Sequence, residues 1–288
     1  MNMGLLRYIA DMRFPLVGLA LLVSSAAQAW IDTGHMVVSA IAEKELRPEV
    51  LQQVERLLRI GGDEKTRDAL GAACWADDTK TAENGPWHYI NFHFKADGTA
   101  ATNKPLPENV VWAIEKFDAV LRDRTRTEAE RADALRYLLH FVGDVHQPFH
   151  SVARDTDEHP TGDRGGNDFV FDEFSLAGFN VRNLHFLWDI GGGLYGGTPR
   201  PLTNRSTIDQ LADRLRRENG REQLPELKAK STMAWAMESL TIAQSVGYTI
   251  PERKRPSEPY LAMVRFISER RLAVAGYRLA DLLNRILG

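Results

Sequence analysis

Eight histidines stand at positions 35, 88, 93, 140, 146, 150, 159 and 185, and two of them open the same pattern, His140-x-x-x-Asp144 and His185-x-x-x-Asp189. On a helix, residues four apart leave one face a turn apart, so each pair aims an imidazole and a carboxylate at one point. Such donors suit Zn²⁺, which takes neutral imidazole and carboxylate at about 2.0–2.2 Å. One pair alone describes equally well a surface ion pair or a buried histidine bonded to its neighbour. Both pairs here sit in apolar surroundings, LLHFVGD and LHFLWD, where a charged carboxylate needs a partner. A metal ion is one solution. His150 follows Asp144 by six residues, just past Pro148, which stops the helix and lets the chain turn back toward the same centre.

The first residues have the order of an export signal. Arg7 and Arg13 form a basic leader, Phe14 to Val23 a short apolar run, and Ala27-Gln28-Ala29 supplies the small residues a signal peptidase accepts. The run is about half of the roughly 20 residues a membrane-spanning helix needs. Residues 1–29 are therefore expected to be a cleaved signal peptide and 30–288 the mature domain, periplasmic or secreted, with no stable membrane association. Cleavage would free the amino group and carbonyl oxygen of Trp30 to chelate a metal, with His35 five residues on. A tryptophan at that place fits a core residue equally well.

A helical scaffold has to position these groups. Apolar residues recur at helical spacing over Val37–Leu46, Glu49–Leu58, Val110–Leu121, Ser206–Arg217, Leu227–Tyr248 and Pro259–Leu287. Thr127-Glu128-Ala129-Glu130 reads as a capping box that starts a long segment through Val145. Strand-like alternation is confined to Phe169-Val170-Phe171. The expected fold is all-α, a single-domain multi-helix bundle with at most a small β-hairpin and with long loops at about 78–108 and 151–183. Loops of that length in a compact domain usually carry function. Composition agrees: 288 residues with 43% hydrophobic and 26% charged positions exclude disorder, and one cysteine excludes a disulfide framework or a cysteine-rich zinc ribbon. A net charge of −3 argues against holding nucleic acid by bulk electrostatics.

Taken together, the motifs resemble the zinc-dependent single-strand-specific nucleases of plants, fungi and bacteria, which share a superfamily with zinc phospholipase C. The resemblance runs in register from Trp30-(x4)-His35 through Trp75-Ala76-Asp77, His88-Tyr89-Ile90-Asn91 and LLHFVGDVHQPFH to Asn183-Leu184-His185 and Trp188-Asp189. It implies three zinc ions. Asp77, His88 and His140 would hold the first, with Asp144 bridging it to a third completed by Trp30 and His35; His150, His185 and Asp189 would hold the second. It also implies cleavage of single-stranded DNA and RNA by a zinc-activated water, products with a 5′-phosphate, and 3′-nucleotidase activity. Metal charge would then attract the phosphate in place of lysine and arginine.

Within that resemblance Lys80 matches a basic residue that contacts phosphate, and a solvated lysine is the other reading. Tyr89 matches a position that stacks a base, against a reading as core packing; stacking accepts any exposed base. Asp78 is a candidate to orient a ligand or a water. His146 is expected to make a core hydrogen bond, His93 and His159 to be solvated, Cys74 to be a buried thiol, and Gly165-Gly166-Asn167 to shape the loop between ligands. Two alternatives stand beside the nuclease. A phospholipase C-like enzyme would place its first histidine further from the leading tryptophan and would end on glutamate, where this chain has Asp189. The other is a non-catalytic exported zinc-binding protein.

Overall fold

The computed structural model describes residues 30–288; the expected signal peptide lies outside them. The chain runs α1 (Asp32–Glu43), α2 (Pro48–Leu58), α3 (Ala69–Ala72), α4 (Trp75–Asp78), β1 (Phe92–Phe94), α5 (Val110–Arg122), α6 (Glu128–Asp144), β2 (Val152–Arg154), β3 (Val170–Leu176), β4 (Phe179–Asn183), α7 (Leu184–Asp189), α8 (Ser206–Glu218), α9 (Thr232–Ile242) and α10 (Glu258–Leu287). Single 3₁₀ turns at Gly85–His88 and Pro148–His150 matter for the site. No described helix is long and apolar enough to cross a membrane.

Helix α6 carries the centre of the molecule. The capping box forms as expected: the Glu130 amide donates to Thr127 Oγ1 (3.2 Å) and the Thr127 amide to Glu130 Oε2 (2.9 Å), so two otherwise orphaned donors are satisfied at its start. From Leu138 to its end at Asp144 every residue is buried. Helix α1 packs on α10, α8 and α6, and α5 lies along α6. The apolar stripe of α10 is buried at Leu261, Val264, Leu272, Leu279 and Leu282, and from Arg271 to Ala280 all faces are covered. A helix that is buried all round belongs to the interior.

Three expectations shift. Helix α1 begins at Asp32 rather than Val37, which puts His35 in its first turn. The helix expected from Leu227 begins at Thr232, because the Ser231 side chain accepts from the Ala234 amide and caps it there. The hairpin is larger than expected: β3 and β4 pair antiparallel across Ala177-Gly178, both at positive φ (52° and 85°), the geometry a tight hairpin turn requires. A second pairing was not expected at all. β1 and β2 run parallel, Phe92 opposite Val152 and Phe94 opposite Arg154. Three-residue strands show too little alternation to register in a sequence, and parallel partners are necessarily distant.

Candidate metal centre

The last turn of α6 presents His140 and Asp144, both fully buried. His140 Nδ1 lies 2.7 Å from the Ala73 carbonyl; a carbonyl only accepts, so Nδ1 carries a proton and Nε2 faces inward. His88, closing its 3₁₀ turn, brings Nδ1 to 3.1 Å from His140 Nε2 and 3.0 Å from Asp144 Oδ2. Asp77 on α4 completes this side, with Oδ1 3.5 Å from His88 Nδ1 and 3.8 Å from His140 Nε2. The other oxygen of Asp144 looks elsewhere: Oδ1 lies 3.4 Å from His35 Nε2. One carboxylate therefore serves two sets of imidazoles.

His35 reaches that position by stacking on His140, ring centroids 3.9 Å apart and 14° between planes. Gly143 makes room. A Cβ there would stand 2.8 Å from His35 Nδ1, closer than such atoms approach. Trp30 is fully buried beside it, its indole donating to the Gly143 carbonyl (3.1 Å), while the Ile31 amide donates to the Asp189 carbonyl (3.3 Å). Residues 30 and 31 thus lie between the ends of α6 and α7.

His150, His185 and Asp189 make a second group. His150 Nδ1 donates to the His88 carbonyl and His185 Nδ1 to the Gly165 carbonyl, each at 2.7 Å. The two Nε2 atoms then face each other at 3.1 Å, two lone pairs toward one point when both rings are neutral. Asp189 Oδ1 is 3.6 Å from His185 Nε2 and accepts from the Gln147 side chain at 2.5 Å. Gln147 in turn takes the Phe149 amide on its oxygen, and Tyr195 donates to the Asp189 carbonyl. Gly165 turns at φ +63°, a conformation L side chains resist, and so aims its carbonyl at His185.

Both nitrogens of His35, Asp77 Oδ1, His88 Nε2 and both oxygens of Asp144 are buried without a hydrogen-bond partner. Each such atom costs about 1–3 kcal/mol unless something satisfies it. Burial holds His35, His88 and His150 well below the usual histidine range, in their ligating form. Burial likewise raises Asp144 to about 6 and Asp189 well above the carboxylate range. His140 resists burial, because Asp144 and Asp77 beside it raise it to about 9. Three carboxylates in one dry pocket call for positive charge. Three His/Asp groups could hold such a cation, the first two sharing His140: His35–Asp77–His140, His88–His140–Asp144 and His150–His185–Asp189, with ligand atoms within 4.8 Å of one another in each.

The model of the S1/P1 nuclease family matches residues 30–288. The chain belongs to the S1/P1 nuclease family. Relatives include Nuclease S1 of Aspergillus oryzae, 24% identical over 94% of this chain and 96% of its own length. Endonuclease 2 of Arabidopsis thaliana is 26% identical, over 90% of this chain and 91% of its own. Nuclease P1 of Penicillium citrinum is 27% identical over 56% and 57%. The enzyme class is that of a phosphodiester hydrolase.

In this S1/P1 nuclease, Lys80 is not a solvated lysine: its Nζ lies 3.6 Å from Asp77 Oδ1 at the edge of the cluster. Tyr89 is half-buried and lines a cavity of about 200 Å³ with Asn91, Arg164 and Asn167, open to His150 and His185. Both oxygens of Asp78 accept from Arg200 at 2.6 Å, and Arg200 also binds Asp32, so Asp78 fastens α4 to α1. His93 is not solvated either; its Nδ1 lies 2.6 Å from Asp155, because β1 turns it inward. His159 is half-buried. His146 does make core hydrogen bonds, to the Val142 carbonyl and to Arg278, and Cys74 is a buried free thiol. Gln147 and Tyr195 escaped the sequence reading. Gln147 stands inside the block that carries three expected ligands, which was the available signal; Tyr195 had none.

Proposed function

We propose that the protein is an exported zinc-dependent nuclease that cleaves single-stranded DNA and RNA to 5′-phosphate products and also hydrolyses 3′-nucleotides. The observation that carries the reading is Asp144, whose two buried, unpartnered oxygens face His35 on one side and His88 with His140 on the other. Mixed imidazole and carboxylate sets of this kind suit zinc. In this reading Asp77, His88 and His140 would hold one ion, His150, His185 and Asp189 a second, and His35 with the Trp30 amine and carbonyl a third, with Asp144 able to serve the first and third. Zinc bound by these residues would supply an activated water near neutral pH and would neutralise charge on phosphate oxygens.

The chain's own residues do the rest. The carbonyls of Ala73, His88 and Gly165 fix which nitrogen each histidine offers. Gln147 orients Asp189. Lys80 places a cation beside Asp77 for the phosphate, and Tyr89 offers a ring on which an unpaired base stacks, which disfavours duplexes. Export rests on the leader of residues 1–29, whose cleavage would put the free amino group at Trp30. A phospholipase-type reading is disfavoured by the family match across 30–288. A closed zinc-binding protein is disfavoured by the cavity that opens on His150 and His185.

A pair of proteins tests this, one beginning at Trp30 and one with an added alanine before it. The first is expected to carry three zinc equivalents by mass spectrometry and to degrade single-stranded DNA, RNA and 3′-nucleotides but not phosphatidylcholine. The extension is expected to displace the amine, lose about one equivalent and reduce hydrolysis at least about tenfold. Equal zinc and equal rates in both would remove Trp30 from the centre.

A further inference from the structure

Tyr89 and Asn91 line two cavities. One is the cavity that opens on His150 and His185; the other, about 270 Å³, lies on their far side and is walled by His93, Asn103, Lys104 and Leu106. Its size is near the lower end of small-molecule sites, about 300 Å³, and suits one nucleotide unit. The two cavities are joined rigidly. The Ile90 amide donates to the His150 carbonyl, the Val110 amide to the Tyr89 carbonyl, and β1 continues the same segment along β2.

The walls are built for a ligand with both a flat apolar face and negative charge. Asp155, itself buried, spends one oxygen on His93 Nδ1 (2.6 Å) and the other on the Asn103 side-chain amide (2.8 Å). His93 is thereby held with Nε2 as its remaining ring nitrogen. Asn103 also donates to the Pro160 carbonyl (2.8 Å), which uses both amide hydrogens and leaves its oxygen to accept. Lys104 has no ion pair among the described residues, and Leu106 is 52% exposed, an apolar side chain standing in water at the rim. Both oxygens of Asp155 are thus engaged by His93 and Asn103, and no carboxylate lines the cavity itself.

We infer that this cavity is a second nucleotide subsite, which receives the unit that adjoins the one held over Tyr89 on the side away from the cleaved bond. The assignment rests on the nuclease reading above and names how the substrate extends past the Tyr89 unit, away from the cleaved bond. A strand entering here passes its next phosphate to Lys104 and lays its base against Leu106, with Asn91 and Asn103 offering amide groups to the base edge or sugar. Because the contacts lie away from the reacting phosphorus, they strengthen ground state and transition state alike and act on KM rather than kcat.

The test compares the zinc-loaded protein with the double variant Lys104→Ala, Leu106→Ala on a thymidine dinucleotide, which leaves the second cavity empty, and on the trinucleotide. Both replaced side chains are in an exposed loop, and the melting temperature checks that the variant is folded. In the unaltered protein kcat/KM is expected to rise from dinucleotide to trinucleotide. The variant is expected to lose that rise through a KM about 5- to 10-fold higher on the trinucleotide, with dinucleotide kinetics unchanged. Its trinucleotide KM should also depend less steeply on salt. No rise in the unaltered protein, or an equal loss on both substrates, would overturn the subsite while leaving the nuclease intact. A zinc-loaded protein inactive on every nucleotide would overturn the nuclease reading first and the subsite with it.

Discussion

At Gly143 a single added methyl group would stand 2.8 Å from His35 Nδ1, and His35 has nowhere to retreat because its ring lies flat on His140. Gly143→Ala is therefore expected to push His35 off Asp144 while leaving the other imidazoles in place. Metal affinity should fall about 10- to 100-fold at one site, as when a supporting group of a metal ligand is lost, with the helix content intact by circular dichroism. Full metal retention in a titration against a chelator would show that His35 takes no part. The same residue illustrates what was legible. The glycine could be read, but the reason for it could not, because α1 and α6 approach only in the folded chain.

Helix α6 delivers two of the groups and is fixed at both ends. At its start the Thr127 amide and hydroxyl hold the Glu130 carboxyl below the usual carboxylate range. A carboxyl lowered on folding contributes stability above its unfolded pKa, about 4.3, and that contribution is lost as pH falls through the folded value. Glu130→Gln keeps the hydrogen bonds and removes the charge. It should lower the melting temperature at pH 7, with the gap closing toward pH 3; a gap of the same size at both would sink the assignment. At the other end Ser239 donates to the Val145 carbonyl and Arg271 to that of His146. Arg271 and Arg278 share Glu238, and burial takes Arg271 down to about 10. This network from α9 and α10 braces the turn between Asp144 and His150. Its start signal, Thr127 to Glu130, was readable as a local pattern; its end depends on arginines more than a hundred residues away.

For the molecule as a whole, the centre gathers α1, α4, α6, α7 and both 3₁₀ turns onto a few buried ligand atoms. Without a cation the fold must bury Asp144 and Asp189 against their tendency to ionise, since burial raises both. Metal bound to the folded state alone stabilises it by about 4 kcal/mol at a thousand times its dissociation constant. Chelation is accordingly expected to lower the melting temperature by about 10 °C, restored by added zinc. An unchanged transition would mean that the centre does not hold metal.

By itself the sequence determined the helical architecture and the spacing of His140 with Asp144 and of His185 with Asp189, because both follow from a repeat of 3.6 residues that operates locally. The family resemblance extended this to Asp77, His88, His35 and Trp30. Only the tertiary structure decided that Asp78 is taken by Arg200, that His93 turns in to Asp155, and that β1 meets β2. Each of those joins residues from 60 to 122 positions apart, and pairings at that separation are chosen by how helices and loops pack, which no local periodicity encodes.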